Sequence, residues 1–200
     1  NCVDTLKNKQ YISKVYNNIK KYNGQKIKMV SVGSLTDQKN HLLLIEFVNK
    51  IIKLGFDCEV NIIGDGHLRE KLENDIQSKN LNLFINLCGW KKDLEYYKLL
   101  SEHHLFVMTS IYEGLPLAML EAMSTGLPIL STDCESGPRE ILKNGEYGML
   151  VPINDSEALV DSFKKMRKEL LKFHTLSKNR INKYDSKNIA KKFVSISGIN

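Results

Sequence analysis

The chain has 200 residues, of which 42% are hydrophobic and 26% charged, so it can bury the core of one domain or of one lobe of a larger enzyme. Its net charge of +6 comes from scattered lysines without a stripe of interleaved aromatic residues, which argues against a nucleic-acid-binding surface. The sequence has no apolar run of the roughly 18 residues that a transmembrane helix needs. No secretory signal is visible in it, although a fragment could have lost one.

The amino-terminal part reads as a connection rather than as a domain. The chain begins at Asn1 rather than at a methionine, so we expect an excised fragment. Residues 1–27 are polar and irregular, and they are interpreted as a hinge or linker with one helix around residues 11–21.

From residue 28 onward, apolar runs that end in turn residues alternate with amphipathic segments. The apolar runs predict strands over residues 28–33, 58–63, 83–87, 105–108, 128–132 and 148–151. The amphipathic segments predict helices over residues 40–54, 67–79, 93–102, 116–124, 138–143, 156–171 and 188–194. We also predict that Asp93 is the N-cap of its helix and that Gly126 closes the helix before it.

This regular alternation predicts an α/β fold, with a Rossmann-like, doubly wound parallel sheet and helices on both faces. The Rossmann-like domain is expected over residues 28–175, and a C-terminal helical tail over residues 176–200. Ligands of such sheets bind beyond the carboxyl ends of the strands. We therefore expect the turns at Gly33, Gly64, Gly89, Tyr112 and Asp133 to open on one edge.

The cysteines indicate a reducing compartment. Their wide spacing matches no zinc pattern, and two of them lie in apolar, strand-like runs. We therefore expect reduced thiols and a cytoplasmic protein. The four cysteines are Cys2, Cys58, Cys88 and Cys134.

The segment from Glu113 to Glu121 places two carboxylates eight positions apart. Glu113 lies on a Gly/Pro turn, and Pro116 marks the start of the helix that carries Glu121. Two carboxylates beside a helix N-terminus could bind the hydroxyls of a sugar nucleotide while the helix end faces its phosphates. The ordinary alternative is a chance pair of surface glutamates.

Glycine turns follow the first three strands. Gly33 and Ser34 lead into a helix beside Lys39, where backbone amides and one ammonium could hold a diphosphate; the alternative is a plain turn with a surface lysine. The turn at Gly64 would let a nucleotide approach. Trp90 either borders a nucleobase or caps the core, and from its position alone we expect a core cap.

These motifs occur in the order seen in the retaining GT-B glycosyltransferases of family 4, the glycosyl transferases group 1. Over residues 30–171 the chain resembles their C-terminal, nucleotide-sugar-binding lobe. The resemblance rests on the ordered segments 32–35, 38–40, 63–66, 88–90, 110–116, 121–123, 126–128, 137–141 and 144–148.

The resemblance implies roles for individual residues. Lys39 would contact the donor diphosphate, Glu113 would lie at the donor sugar, and Glu121 would hold the ribose hydroxyls. Glu113 and Lys39 are the residues that it assigns to catalysis, and Glu113 is not assigned as a nucleophile. Many family members carry arginine where this chain has Ser34. The complete set of expected donor-binding residues is Gly33, Ser34, Lys39, Gly64, Gly89, Trp90, Glu113, Gly114, Leu115, Leu117 and Glu121.

The resemblance also implies the reaction and the partners. We expect transfer of a sugar from a nucleoside diphosphate sugar, taken as a UDP-sugar, to a glycan or lipid-linked acceptor in polysaccharide biosynthesis, without a metal or other cofactor. The acceptor would be held by an N-terminal lobe that joins at residues 1–4. Peripheral association with the inner face of the membrane is also an expectation. Two alternatives stay open: a GT-B sugar-nucleotide epimerase, and a binding module that is inactive without its N-terminal lobe.

Overall fold

The computed structural model describes residues 8–184. Six strands form one sheet in the order β3-β2-β1-β4-β5-β6, and every neighbouring pair is parallel. The predicted α/β fold with a doubly wound parallel sheet is therefore confirmed. The strands are β1 (Ile27–Val32), β2 (Cys58–Ile63), β3 (Ile85–Leu87), β4 (Leu105–Met108), β5 (Ile129–Thr132) and β6 (Met149–Val151).

Within residues 8–184, eight α-helices connect and flank these strands. Short 3-10 turns cover Asp37–Lys39 and Asn182–Tyr184. None of the helices in the described part of the chain has both the length and the apolar character of a membrane-spanning helix. The helices are α1 (Lys9–Lys21), α2 (His41–Lys53), α3 (Arg69–Ser78), α4 (Asp93–Leu100), α5 (Leu117–Ser124), α6 (Pro138–Ile141), α7 (Ser156–Met166) and α8 (Leu170–Ile181).

Helix α1 lies in the segment interpreted as a linker, and it packs in the same core as the sheet. The helix predicted around residues 11–21 is confirmed. Its apolar stripe of Tyr11, Val15 and Ile19 is buried, because residues four apart share one face. The Asn8 amide donates a hydrogen bond of 2.7 Å to Ser124 Oγ, which attaches the start of α1 to the end of α5.

The predicted helix over residues 156–171 is wrong in its extent. Helix α7 ends at Met166, and a separate helix α8 covers Leu170–Ile181, most of which lies beyond the predicted end at residue 171. Its buried stripe contains His174 and Ser177 beside Phe173, and these polar residues conceal the apolar period. Helix α8 packs on α1 and α5. The predicted helix over residues 188–194 and the hinge at residues 1–4 lie outside the described residues.

The predicted N-cap of α4 is also wrong. Asp93 is the first residue of the helix, with φ 48°, and Lys92 is the N-cap. The prediction that Gly126 closes α5 is confirmed, since Gly126 follows the C-cap with φ +83° and donates to the Met123 carbonyl.

Two adjacent histidines fasten the amino-terminal edge of the sheet. His103 Nε2 lies 2.9 Å from the Asn61 amide, and its Nδ1 lies 2.7 Å from the Leu99 carbonyl. His104 Nδ1 accepts from the Lys28 backbone amide at 3.0 Å. Burial lowers the pKa of both rings, that of His104 to about 4, so both are neutral at physiological pH. Their role is structural.

The cysteines of the described residues, Cys58, Cys88 and Cys134, are free thiols. Burial raises the pKa of Cys58 to about 12 and that of Cys134 to about 11. The pKa of Cys88 is raised for the same reason. These thiols therefore stay protonated and behave as small apolar side chains.

Candidate functional site

The site lies where the strand order reverses, between β1 and β4. The chain runs outward from β1 through β2 to β3, and then returns to place β4 on the other side of β1. Because all strands are parallel, the loops that follow β1 to β5 open on one edge, as predicted. A crevice at such a switch point is the usual ligand site of an open α/β sheet.

The first feature of this edge is an ion pair between the loops after β1 and β4. Lys39 Nζ lies 2.6 Å from Glu113 Oε1, and the two side chains are only 19% and 6% exposed. Ser110 Oγ donates to the same carboxylate oxygen at 2.7 Å. A ligand hydroxyl would therefore meet Oε2 of Glu113, and the remaining N–H groups of Lys39 would meet an anion.

Glycine at position 33 makes room for the lysine. A Cβ atom on Gly33 would lie 3.0 Å from the Cδ and Cε atoms of Lys39, so the stem of the lysine passes directly over this glycine. Ser34 follows in the same loop and is half-buried. Burial, and then the charge of Lys39, lower the pKa of His41 to about 4. His41 is therefore neutral, and Lys39 provides the positive charge of this loop.

The turn after β2 has a structural reason for its glycines. Gly64 has φ +149°, and a Cβ there would lie 1.9 Å from the Gly33 carbonyl oxygen. A Cβ on Gly66 would lie 2.6 Å from the Leu35 carbonyl oxygen. The Gly64 amide also donates to the Gly89 carbonyl at 3.0 Å. These glycines let three loops approach one another closely, and a role of Gly64 or Gly89 in donor binding stays a prediction.

The turn after β4 presents an exposed surface at the start of α5. Gly114, Leu115 and Leu117 are exposed, and Pro116 is the N-cap of the helix. The free N–H groups of a first helical turn point outward along the axis, where they favour an anion. A Cβ on Gly137 would lie 2.5 Å from the Gly114 carbonyl oxygen, so the loop after β5 supports this turn from behind.

Glu121 lies in α5 and faces a separate part of the same edge. The buried phenol of Tyr96 donates a hydrogen bond of 2.7 Å to Glu121 Oε2. Burial raises the pKa of Glu121, and the hydrogen bond from Tyr96 opposes that rise. Burial also raises the pKa of Tyr96, so its hydroxyl stays a donor. Tyr96 was missed from the sequence, where nothing links it to a glutamate 25 positions later.

A cavity of about 380 Å³ opens in front of Glu121. Trp90 is 57% exposed at its wall, so the expectation that this ring caps the core is wrong. Val32 lines this cavity, and the side chain of Lys39 passes over the next residue, Gly33. The cavity is therefore adjacent to the ion pair of Lys39 and Glu113. It is lined by Val32, Ile63, Trp90, Lys91, Lys92, Asp93, Tyr96, Tyr97 and Glu121.

A larger cleft of about 1000 Å³ begins at Gly114 and Leu115 and continues along α6 and α8. Arg139 donates to Asp133 Oδ1 at 2.9 Å on its wall. Arg180 is buried and donates to the Glu140 and Ile141 carbonyls, which satisfies the end of α6. Among residues 8–184, no group of three or more His, Cys, Asp or Glu side chains is arranged to hold a metal ion.

The sequence is similar to that of known glycosyltransferases. A sequence model of the family described as "Glycosyl transferases group 1" matches residues 14–183. An "Uncharacterized glycosyltransferase MJ1059" of Methanocaldococcus jannaschii is 37% identical over 131 residues, which are 66% of this chain and 31% of that protein. An Escherichia coli "UDP-Gal:alpha-D-GlcNAc-diphosphoundecaprenol alpha-1,3-galactosyltransferase" is 34% identical over 155 residues, 76% of this chain and 39% of that protein.

The fold is also similar to that of solved structures. A crystal structure of Staphylococcus aureus TarM, a mutant in complex with Fondaparinux, alpha-GlcNAc-glycerol and UDP, superimposes with a TM-score of 0.76 at 25% identity. The match covers 88% of this chain and 36% of that chain, so this chain spans about a third of the length of TarM and of each of the two relatives above. Its architecture is that of one lobe of a GT-B glycosyltransferase. The family model covers most of the chain, and the chain belongs to the glycosyl transferases group 1.

Proposed function

We propose that this chain is the donor-binding lobe of a family 4, retaining glycosyltransferase. The complete enzyme transfers a hexose-type sugar from a UDP-sugar to a glycan or lipid-linked acceptor in polysaccharide or glycoconjugate biosynthesis. The observation that carries the proposal is the adjacency of two units at one switch point. These are the pair of Lys39 and Glu113, and the cavity in front of Glu121.

Each part of a sugar nucleotide has a counterpart along this edge. Trp90 offers an exposed aromatic face for the base, and Glu121 offers a carboxylate to the ribose hydroxyls. Lys39 and the first turn of α5 supply positive charge for the diphosphate. The choice of UDP is supported by the UDP in the TarM complex and by the name of the Escherichia coli relative.

In this proposal the protein accelerates the reaction mainly by electrostatic stabilisation. Negative charge develops on the leaving diphosphate while the sugar gains oxocarbenium character. Lys39 and the α5 dipole offset the charge of the leaving group, which is why the proposal assigns no role to a metal ion. Glu113 orients the sugar through its hydroxyls and does not attack it. Retention then results from attack by the acceptor on the face that the diphosphate leaves.

The acceptor belongs to the part of the enzyme that this chain does not contain. The aligned regions cover 31% and 39% of the two relatives, so the complete protein is proposed to include an N-terminal lobe for the acceptor. A lipid-linked acceptor would bring the complete enzyme to the cytoplasmic face of the membrane. By itself the chain is then a binding module that holds the donor without transferring its sugar.

The first test is calorimetric titration of the chain with UDP, GDP and ADP. We expect selective binding of UDP, and a loss of roughly ten- to 150-fold in affinity for Glu121→Ala, because hydrogen bonds to a charged group are removed. Glu70→Ala is the matched control, since Glu70 is exposed on α3 and does not line the cavity. A folded sample that binds none of the three nucleotides contradicts the proposal.

A sugar-nucleotide epimerase is the second candidate. An assay of the complete enzyme with and without an acceptor distinguishes it from a glycosyltransferase. A sugar-nucleotide epimerase converts a free UDP-sugar into its isomer without any acceptor. We expect no such conversion by the complete enzyme, and release of UDP only when an acceptor glycan is added. Isomerisation of the free donor, followed by NMR spectroscopy, would favour the epimerase.

A further inference from the structure

The Glu121 carboxylate has a second partner besides any ligand. Tyr96 lies on α4, and its hydroxyl reaches across to α5 to donate to Glu121 Oε2 at 2.7 Å. The Tyr96 side chain is 8% exposed, so this hydrogen bond is largely shielded from water. A hydrogen bond between two different helices fixes the carboxylate relative to both walls of the cavity.

Aromatic packing holds Tyr96 in place. Its ring meets the Tyr97 ring edge-to-face, with centroids 5.2 Å apart. Tyr97 in turn stacks on Tyr11 of α1 at 6.0 Å. The hydroxyl of Tyr96 is therefore presented from a rigid aromatic cluster, and the Glu121 carboxylate is oriented before any ligand arrives.

The two oxygen atoms of the Glu121 carboxylate have different partners. Oε2 accepts from Tyr96, so a diol entering the cavity would be met by Oε1. The other charged groups that line this cavity are Lys91, Lys92 and Asp93, and Lys91 Nζ lies 2.8 Å from Glu95 in an ion pair. Of the charged groups named here, Glu121 is thus the one that lies on α5 and accepts a hydrogen bond from the buried hydroxyl of Tyr96.

We propose that Tyr96 is a positioning residue for ribose recognition. Its phenol fixes Glu121 so that the site selects ribonucleoside diphosphates over analogues that lack the 2′ and 3′ hydroxyls. The inference rests on the proposed function, which places the ribose at Glu121. It adds that the selectivity depends on a residue that itself need not touch the nucleotide.

The test compares UDP with 2′,3′-dideoxy-UDP by calorimetric titration of the 200-residue chain. We expect the wild-type chain to prefer UDP by at least about tenfold, and Tyr96→Phe to reduce this preference roughly three- to tenfold. Binding of dideoxy-UDP should change by less than about twofold, because its base and diphosphate contacts do not pass through Tyr96. If Tyr96 had a purely structural role, Tyr96→Phe would weaken the binding of both ligands equally.

Two further variants separate the position of Tyr96 from its packing. Tyr22→Phe is the control, because Tyr22 is half-buried at the end of α1 and lies outside both the cavity and this aromatic cluster, and we expect the preference to be unchanged. In a Glu121→Gln background, Tyr96→Phe should have little further effect on the preference, since Tyr96 acts through the carboxylate. The melting temperature of each variant confirms that it is folded.

The outcomes distinguish this inference from the proposed function. A Tyr96→Phe variant that keeps the wild-type preference overturns the inference and leaves the proposed function standing. A wild-type chain that binds both ligands equally overturns the placement of the ribose at Glu121, and the inference with it. A wild-type chain that binds neither ligand overturns the proposed function itself.

Discussion

The pair of Lys39 and Glu113 predicts that one substitution will lower both stability and donor binding. Lys39→Met removes the ammonium that lies 2.6 Å from Glu113 Oε1 and leaves a carboxylate whose side chain is 6% exposed. Ser110 still donates one hydrogen bond to that oxygen. Glu113 therefore loses its charge partner without losing all of its polar contacts.

The magnitude follows from this partial compensation. Breaking a fully buried ion pair costs about 3–5 kcal/mol, since an unpaired charge stays buried. The hydroxyl of Ser110 and the 19% exposure of Lys39 reduce this cost. We expect Lys39→Met to lower the free energy of unfolding by about 1–3 kcal/mol. UDP affinity should fall about ten- to 100-fold, because a charged contact with the diphosphate is lost.

A double variant separates the two effects. Lys39→Met combined with Glu113→Gln removes the charge on both sides, so most of the lost stability should return while UDP binding stays weak. Urea unfolding followed by circular dichroism measures the first quantity, and calorimetric titration measures the second. Lys50→Met is the control, since Lys50 pairs with Glu157 on the exposed surface and should leave both measurements unchanged.

Two results would contradict this prediction. If Lys39→Met unfolds at the wild-type urea concentration, the ion pair does not stabilise the fold. If the double variant binds UDP as tightly as the wild type, then Lys39 does not meet the diphosphate, and the proposed site is wrong.

Three further predictions concern pH, backbone packing and the aromatic wall. Burial raises the pKa of Glu121, and the ionised carboxylate is the form that binds the ribose. UDP affinity should therefore fall as the pH is lowered through this pKa. The fall should begin at a higher pH than it would with a glutamate of ordinary pKa. Titrations from about pH 8 to about pH 4.5 test this, and Glu121→Gln should lack this component of the pH dependence. Gly64→Ala should lower the free energy of unfolding by about 3–5 kcal/mol, because its Cβ would strike the Gly33 carbonyl and its φ is +149°. Gly55→Ala, at φ +82° in open space, should cost only about 1–2 kcal/mol in the same urea experiment. Trp90→Ala should weaken UDP binding several-fold and leave the melting temperature within a few degrees, since the ring is 57% exposed; an unchanged affinity would remove Trp90 from the site.

Most strands could be predicted because a parallel strand buried on both faces is a continuous apolar run. All four residues of β4 and of β5 are buried, and their limits were predicted to within one residue. Helix α8 could not be predicted in the same way. His174 and Ser177 look like surface residues in the sequence, yet both are buried where α8 packs on α5 and α1.

In the candidate site, too, residues in local motifs could be predicted from the sequence, whereas their contact partners could not. Lys39, Glu113 and Glu121 were predicted from local motifs, because Lys39 and Glu113 lie near glycine turns that follow strands and Glu121 lies in the helix that begins after Pro116. Their partners Ser110 and Tyr96 were not found. Ser110 is one of several buried hydroxyl groups near β4, and Tyr96 belongs to a different helix from the glutamate that it contacts.

The parallel α/β class, and the edge of the sheet on which the turns after the strands open, could be predicted because periodicity and turn residues are local properties of the chain. The family was indicated by the order of the motifs, through the resemblance that they carry. Which side chains meet depends on how the elements pack in three dimensions. This packing joins Lys39 to Glu113, places Tyr96 against Glu121 and exposes Trp90 at the wall of a cavity. Lys39 and Glu113 are 74 positions apart in the chain, and Tyr96 and Glu121 are 25 positions apart. The geometry of these contacts depends on how neighbouring strands and helices pack, and no local pattern encodes it.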